Sequence, residues 1–371
     1  MGENTKIEWA DHTASFWEGC QKVSPGCANC YAESFEKRVG NDVWGSHKPR
    51  KWTKGGPALI RKLNKKAAKA GRIDTVFVND LGDFFEDFDG PIVNHAGCRM
   101  FRCTKCRQTL DGALPQVQGA TMPYCVNCAI LTKPLTLDDL RNEAAGLFDE
   151  CQNLIFMLLT KRPENILPMW PAKNVPTETR PGAVEYRWTS LARRDNVWLG
   201  TSVENQEQAD ERLPELLKCR DLSPVLFVSA EPLLGPVDLD RSWKLFRADG
   251  HRLNRTQYAA DCPTRGIDWV ITGGESGHNA RPCNVAWIRS IGRQCQAAGV
   301  TWFNKQLGAV VIDDRANGTI HSQIRDDECW PELAEQPDHT GRIKLRHKKG
   351  GDMAEWPEDL RVRQMPAVDR V

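Results

Sequence analysis

The chain has 371 residues, 40 % of them hydrophobic, with 50 Lys plus Arg against 49 Asp plus Glu. Those figures fit one large folded domain or two smaller ones and exclude disorder as the default, while a net charge of +1 argues neither for nor against nucleic acid. No run reaches the roughly 20 apolar residues of a bilayer span, and the charged start MGENTKIEWADHT has no signal-peptide core.

A cytoplasmic protein with no membrane partner is therefore expected. In that reducing compartment the 14 cysteines read as metal ligands or buried thiols, not disulfides.

Short β-branched and aromatic runs alternate with helical patterns, as in βα units around a parallel sheet. A first strand is expected at residues 7–9. It leads into a loop carrying Cys20, Cys27 and Cys30, with a helix starting near Ala28. From Val43 to Ile73 there is no acidic residue, yet Lys48, Arg50, Lys51, Lys54, Arg61, Lys62, Lys65, Lys66, Lys69 and Arg72 all fall there. This stretch reads equally as a solvated helix face plus a basic loop or as a phosphate-binding surface.

Further strands are expected at residues 75–79, 154–159, 197–201, 225–229, 269–272 and 301–304, and helices at 137–150 and 285–298. Nearly all the strands are continuous apolar runs, which fits burial on both faces. They run into Asn79-Asp80, Thr160-Lys161-Arg162, Ser202-Val203-Glu204, Ala230-Glu231-Pro232, Gly273-Gly274-Glu275-Ser276 and Lys305-Gln306. In a full or partial βα barrel those ends share one mouth, where an active site sits. Asp80, Lys161 and Lys305 are the catalytic candidates there. Asp83 and Arg162 are candidates to anchor polar or anionic groups. For each, a salt bridge that merely closes the barrel is the competing reading.

Between the second and third strands, Cys103 and Cys106 form one CxxC pair and Cys125 and Cys128 another, 18 residues apart. Two such knuckles are a strong signal for a tetrahedral, structural zinc site. Residues 98–133 are too few to bury a core, so the metal would supply their folding energy. Cys98 is a bystander or an extra ligand. Cys151, Cys219, Cys262, Cys283, Cys295 and Cys329 show no paired spacing. The expected division is a barrel over 1–97 and 134–310, the zinc ribbon over 98–133, and a wrapping extension over 311–371.

The N-terminal cysteines differ in being three. Thiolates in one small loop suit an iron–sulfur cluster, and three ligands leave one iron open to a cofactor or substrate. A zinc site completed by His12 or His47 is the alternative.

Lys6-Ile7-Glu8-Trp9 followed by GC…SPGCxxCYAE resembles the phage-associated three-cysteine-motif family, a radical-SAM-like group of phages and prophages. TKRPEN (160–165), SVENQ (202–206), SAEPLLGP (229–236), GGESG (273–277) and GGDxAEWPEDLRVRQ (350–364) extend the likeness nearly end to end. The resemblance implies a partial or distorted TIM-like barrel and a 4Fe-4S cluster on Cys20, Cys27 and Cys30. It also implies S-adenosylmethionine on the open iron, cleaved on reduction to a 5′-deoxyadenosyl radical. Two features depart from the commonest radical-SAM pattern: six residues separate Cys20 from Cys27, and Asn29 replaces the aromatic before the third cysteine.

Ser202, Glu204, Glu231, Gly273, Gly274 and Glu275 are the candidates to bind S-adenosylmethionine. Glycines permit close approach, and Glu275 suits an amine or ribose. The expected substrate is a nucleic-acid base or nucleotide, the expected reductant a flavodoxin or ferredoxin, and the setting a bacterial host cell. A non-catalytic, metal-stabilised nucleic-acid-binding protein is the competing class. A metal-independent hydrolase using Asp80, Glu204, Glu231 and Glu275 is a third.

Overall fold

The computed structural model describes residues 2–112, 124–125, 127–180, 183–239, 266–313, 330 and 341–367. Seven parallel strands organise it: β1 (His12–Ala14), β2 (Asp74–Val78), β3 (Leu154–Thr160), β4 (Val197–Ser202), β5 (Leu226–Ala230), β6 (Trp269–Gly273) and β7 (Thr301–Gln306). They lie side by side in chain order, and Gly2–Glu3 adds an antiparallel strand outside β1. Six of the seven coincide with expected strands to within a residue or two. The first does not. Residues 7–9 form no strand, and His12–Ala14 takes that place by pairing with β2.

The central strands are largely apolar because both faces of the sheet are buried. On β3, Leu154, Phe156 and Leu158 face one core while Ile155 and Met157 face another, following the two-residue period of a strand. The first core is shared with the helices. The second is packed with Phe77, Trp198, Phe227, Trp269 and Phe303 and is sealed by Trp9.

The Trp9 ring lies 4.8 Å from that of Phe77 on β2 and 6.3 Å from that of Trp269 on β6. Four strand spacings would separate those strands by about 19 Å on a flat sheet. The sheet is therefore strongly curled around this aromatic filling. Among the described residues it does not close, since Gly2–Glu3 and β7 remain its two edges. Residues 360–364 cover the β7 edge, with the Asn304 amide donating to Val362 O at 2.7 Å and the Gln364 amide to Trp302 O at 3.0 Å.

Five helices matter for the site: α1 (Tyr31–Arg38), α2 (Gly56–Ala70), α3 (Leu137–Glu150), α4 (Gln206–Leu217) and α5 (Val285–Ala298). The Thr136 hydroxyl caps α3 by accepting from the Asp139 amide, with Asp139 answering at the Thr136 amide. α1 begins three residues later than expected, after a short 3-10 turn at Pro25–Cys27.

α2 buries Ile60, Leu63 and Ala67 on one face and carries the lysines of the basic stretch on the other. The stretch takes its carboxylates from elsewhere in the chain. Lys62 and Lys66 meet Glu3, Arg61 meets Glu150, Lys48 meets Asp42 and Arg72 meets Asp74, while buried Lys51 meets Glu18 and Glu36.

The insertion forms its own antiparallel sheet of Thr109–Asp111, Met100–Cys103, Ile130–Pro134 and Tyr124–Cys125. Arg102 anchors it to α3, donating to Asp139 O at 3.1 Å and to the Glu143 carboxylate at 2.5 Å. Much of the expected extension lies outside the described residues.

Candidate active site and metal centre

Parallel pairing brings the carboxyl ends of all seven strands to one side, and the three-cysteine loop lies across them. The loop leaves β1, bridges Gly19 to Gly82 beyond β2, and returns through Pro25–Cys27 to α1. Gly19 has φ +106°, and a Cβ there would fall 2.4 Å from Val43 O, so only glycine fits.

Two of the three sulfurs face donors. Arg162 Nη1 lies 3.7 Å from Cys20 Sγ, whereas Cys27 Sγ lies 3.8 Å from the Ser24 oxygen, whose proton goes to Glu204. The amides of Ala32 and Glu33, in the first turn of α1, point at Cys30. Burial pushes the Cys20 and Cys30 thiols upward; at Cys20 the Glu86 and Asp83 carboxylates add to it and Arg162 acts against it, and at Cys30 the two amides act against it. Thiols gathered in one small loop are a donor set that suits soft metals.

Three carboxylates fasten the loop. Glu86, fully buried, accepts Arg50 Nε and Nη2 at 2.7 and 2.8 Å and the Gln21 amide at 2.9 Å. Glu204 accepts the Ser24 hydroxyl at 2.8 Å and Arg212 Nη1 at 3.0 Å, with Lys161 Nζ at 3.6 Å. Glu275 accepts Asn29 Nδ2 at 3.0 Å and is forked by Arg281, whose Nη1 also donates to Pro25 O at 2.9 Å. Burial raises the Glu275 carboxyl, but the Arg281 and Asn29 hydrogen bonds outweigh it and leave it below the usual range.

The residues expected to bind S-adenosylmethionine thus divide. Glu204 and Glu275 hold the cysteine loop. Gly274 packs against backbone, since a Cβ would fall 2.2 Å from Leu307 O, and Gly273 lies against Glu231. Ser202 is buried in β4, its carbonyl accepting Arg212. Glu231 is half-buried at the opening and accepts Lys305 Nζ at 2.7 Å and Gln306 Nε2 at 3.2 Å.

Asp80 accepts the Ser15 hydroxyl at 2.7 Å, and burial pushes its carboxyl upward. The Tyr31 hydroxyl donates to Asp80 O at 2.7 Å. Asp83 lies buried beneath Arg162, bonded to it at 2.8 Å.

Glu86, Ser24, Arg212 and Arg281 were not singled out from the sequence, and Arg50 and Asn29 were noted there without these roles. His12, an alternative fourth ligand, sits at the amino end of β1 with Nε2 3.3 Å from Asp74. That is the far end of the strand from the loop.

The second centre is in the insertion. Cys103, Cys106, Cys125 and Cys128 bring their sulfurs within 4.8 Å of one another, a set able to hold a metal ion such as zinc. Cys98 is outside this group. Among the described residues Cys20, Cys27 and Cys30 do not draw into such a cage. Cys151, Cys219, Cys283 and Cys295 are buried in the core, and Cys262 and Cys329 lie outside the described residues.

Fold and sites define an α/β protein with a large, mostly parallel sheet and an insertion whose four cysteines are able to hold a metal ion. The chain belongs to the family described as protein of unknown function (DUF5131), whose model matches residues 4–111 and 116–351. No curated protein and no solved structure matches it.

Proposed function

We propose that the chain is a radical S-adenosylmethionine enzyme, with Cys20, Cys27 and Cys30 holding a 4Fe-4S cluster and a nucleic-acid base as substrate. One observation carries the reading: the loop that bears the three cysteines is fastened by Glu86, Glu204 and Glu275 across the carboxyl ends of a curled parallel sheet. The curled sheet, with the cysteine loop following its first strand, supports a TIM-like barrel of the radical-SAM type.

When bound, the reduced cluster supplies the electron that cleaves S-adenosylmethionine and so opens C–H chemistry. The chain's own residues hold and orient. Glu86, Glu204 and Glu275 fix the loop, and Arg162 fixes Cys20. Glu231 with Lys305 at the opening are polar groups placed to meet the cofactor, whereas Ser202 is buried in its strand. Asp80, whose carboxyl keeps its proton to higher pH than an ordinary aspartate, suits hydrogen bonding to a base edge. Lys161 has a positive charge to spare for a phosphate, because Glu204 is already matched by Arg212.

The substrate reading is supported by α1. Tyr31, Phe35 and Val39 recur every four residues beside the loop and are exposed, and the Arg38 guanidinium stands 5.7 Å from the Phe35 ring centroid. Exposed aromatic faces with a cation alongside suit unpaired bases. A phage or prophage gene acting on DNA in a bacterial cytoplasm, with a flavodoxin or ferredoxin as reductant, completes the proposal.

The test is anaerobic reconstitution followed by dithionite reduction with S-adenosylmethionine, adding DNA, RNA and nucleotides in turn. Formation of 5′-deoxyadenosine, with one substrate altered, supports the enzyme. A protein that binds oligonucleotides but never cleaves the cofactor supports the non-catalytic binding class instead.

A further inference from the structure

Arg162 stands out among the buried ionic groups near the loop. It is 5 % exposed. Its guanidinium divides among three acceptors: Nη1 reaches Asp83 Oδ2 at 2.8 Å and Cys20 Sγ at 3.7 Å, and Nη2 reaches Gln21 O at 2.9 Å. Its aim is fixed from below. Asp83 is itself held by the Thr160 hydroxyl at 2.7 Å and by the amides of Lys161 and Phe85, both at 3.0 Å. The Arg162 amide donates to the same Thr160 hydroxyl at 2.9 Å.

An arginine kept only to neutralise Asp83 would not need to reach the cysteine. The fork spans both, which a lysine's single ammonium cannot do. The wider charge count points the same way. Two guanidinium groups, Arg50 and Arg162, face two carboxylates, Glu86 and Asp83. These cancel, so a thiolate at Cys20 adds an unmatched negative charge, and the cation that touches it is Arg162. Cys27 has the Ser24 oxygen beside it, whose proton goes to Glu204, and Cys30 is met by two neutral amides and feels the Lys161 charge, so among the three only Cys20 has a cation hydrogen-bonded to its sulfur. The three ligands are therefore electrostatically unequal.

We propose that Arg162 is a positioning residue that orients the Cys20 sulfur and, with Asp83 opposing it, sets the potential at which the bound cluster accepts an electron. This rests on the cluster reading above. Hydrogen bonds to ligand sulfurs and the net charge nearby are among the levers on such potentials. Both are felt strongly where water is excluded. A cation stabilises the more negative, reduced cluster, and a carboxylate does the opposite.

The experiment is an anaerobic redox titration of the full-length protein with reconstituted cluster, using dithionite as the one-electron source and visible absorbance as the readout. Arg162→Gln is expected to lower the midpoint potential, leaving at least tenfold less reduced cluster at a fixed potential, or about 59 mV for a one-electron couple. Asp83→Asn is expected to raise it, and Arg162→Lys to fall between wild type and Arg162→Gln. Opposite shifts at equal iron content support the inference, because a merely structural role would not change sign between the two variants.

Equal potentials in all proteins, or shifts of the same sign, overturn it. If Arg162→Gln does not fold, Asp83→Asn decides alone, and a potential that stays put or falls overturns the inference. A wild-type chain that takes up no iron overturns the cluster reading together with this one, whereas an unresponsive potential in a loaded protein overturns this one only.

Discussion

Glu204 occupies the space that a side chain on Gly26 would need: a Cβ there would fall 2.3 Å from Glu204 Oε1. The carboxylate is fully buried and held by Arg212 and Ser24, so it cannot swing aside cheaply. Gly26→Ala is therefore expected to lose about 1–3 kcal/mol of stability, as overpacking does. It is also expected to displace the turn between Cys20 and Cys27, with loss of iron after reconstitution. Denaturant melts and iron analysis check both.

The Glu275 latch is pH-dependent. Its folded-state carboxyl lies below the usual range, so its contribution is present above the unfolded value near 4.3 and is lost as pH falls through the folded one. Glu275→Gln should be less stable than wild type by about 1.5–3 kcal/mol at neutral pH, the scale of a charge-assisted hydrogen bond. The gap should close below about pH 4. Urea melts of both proteins across pH 3 to 7, as rough bounds set by that carboxyl range, read it directly.

Metal removal should separate the two centres. A strong chelator, or Cys125→Ser, is expected to release the metal of the insertion and unfold it, because the metal supplies its folding energy. The main sheet should persist, since its core is packed independently of the four cysteines. Limited proteolysis should then cut within residues 98–133, with little change in tryptophan fluorescence from the Trp9–Trp198–Trp269 core.

Phe35→Ala on α1 should weaken single-stranded DNA binding by about 1–3 kcal/mol, the scale of one base–aromatic stack. Arg38→Ala should reduce the dependence of binding on salt by about one phosphate contact. Neither residue touches the core, so stability should be unchanged. Fluorescence anisotropy of a labelled oligonucleotide over a salt series checks all three statements.

Much of the frame was legible because burial on both faces leaves continuous apolar runs, and capped amphipathic helices such as α3 and α5 leave a period. β1 was not. His12, Thr13 and Ala14 have no strand signal, and pairing with β2 makes them a strand. The apolar Ile7 and Trp9 nearby mimic one, whereas Trp9 is the plug of the concave face.

At the site, the strand-end residues were legible as a group but their tasks were not. Glu204 and Glu275 look free in sequence, yet their partners are an arginine on α4, another on the following loop, and the cysteine loop itself. The ion pairs of the basic stretch were hidden for a related reason. Its counter-charges, from Glu3 to Glu150, are brought together only by the fold.

The most direct test of the account is anaerobic iron reconstitution of wild type and Cys27→Ala, followed by dithionite and S-adenosylmethionine. The account predicts a brown wild-type protein with about four irons per chain, a Cys27→Ala protein without that colour, and 5′-deoxyadenosine from the wild type alone. A colourless wild-type protein that holds only the metal of Cys103, Cys106, Cys125 and Cys128, and leaves S-adenosylmethionine intact, would contradict it.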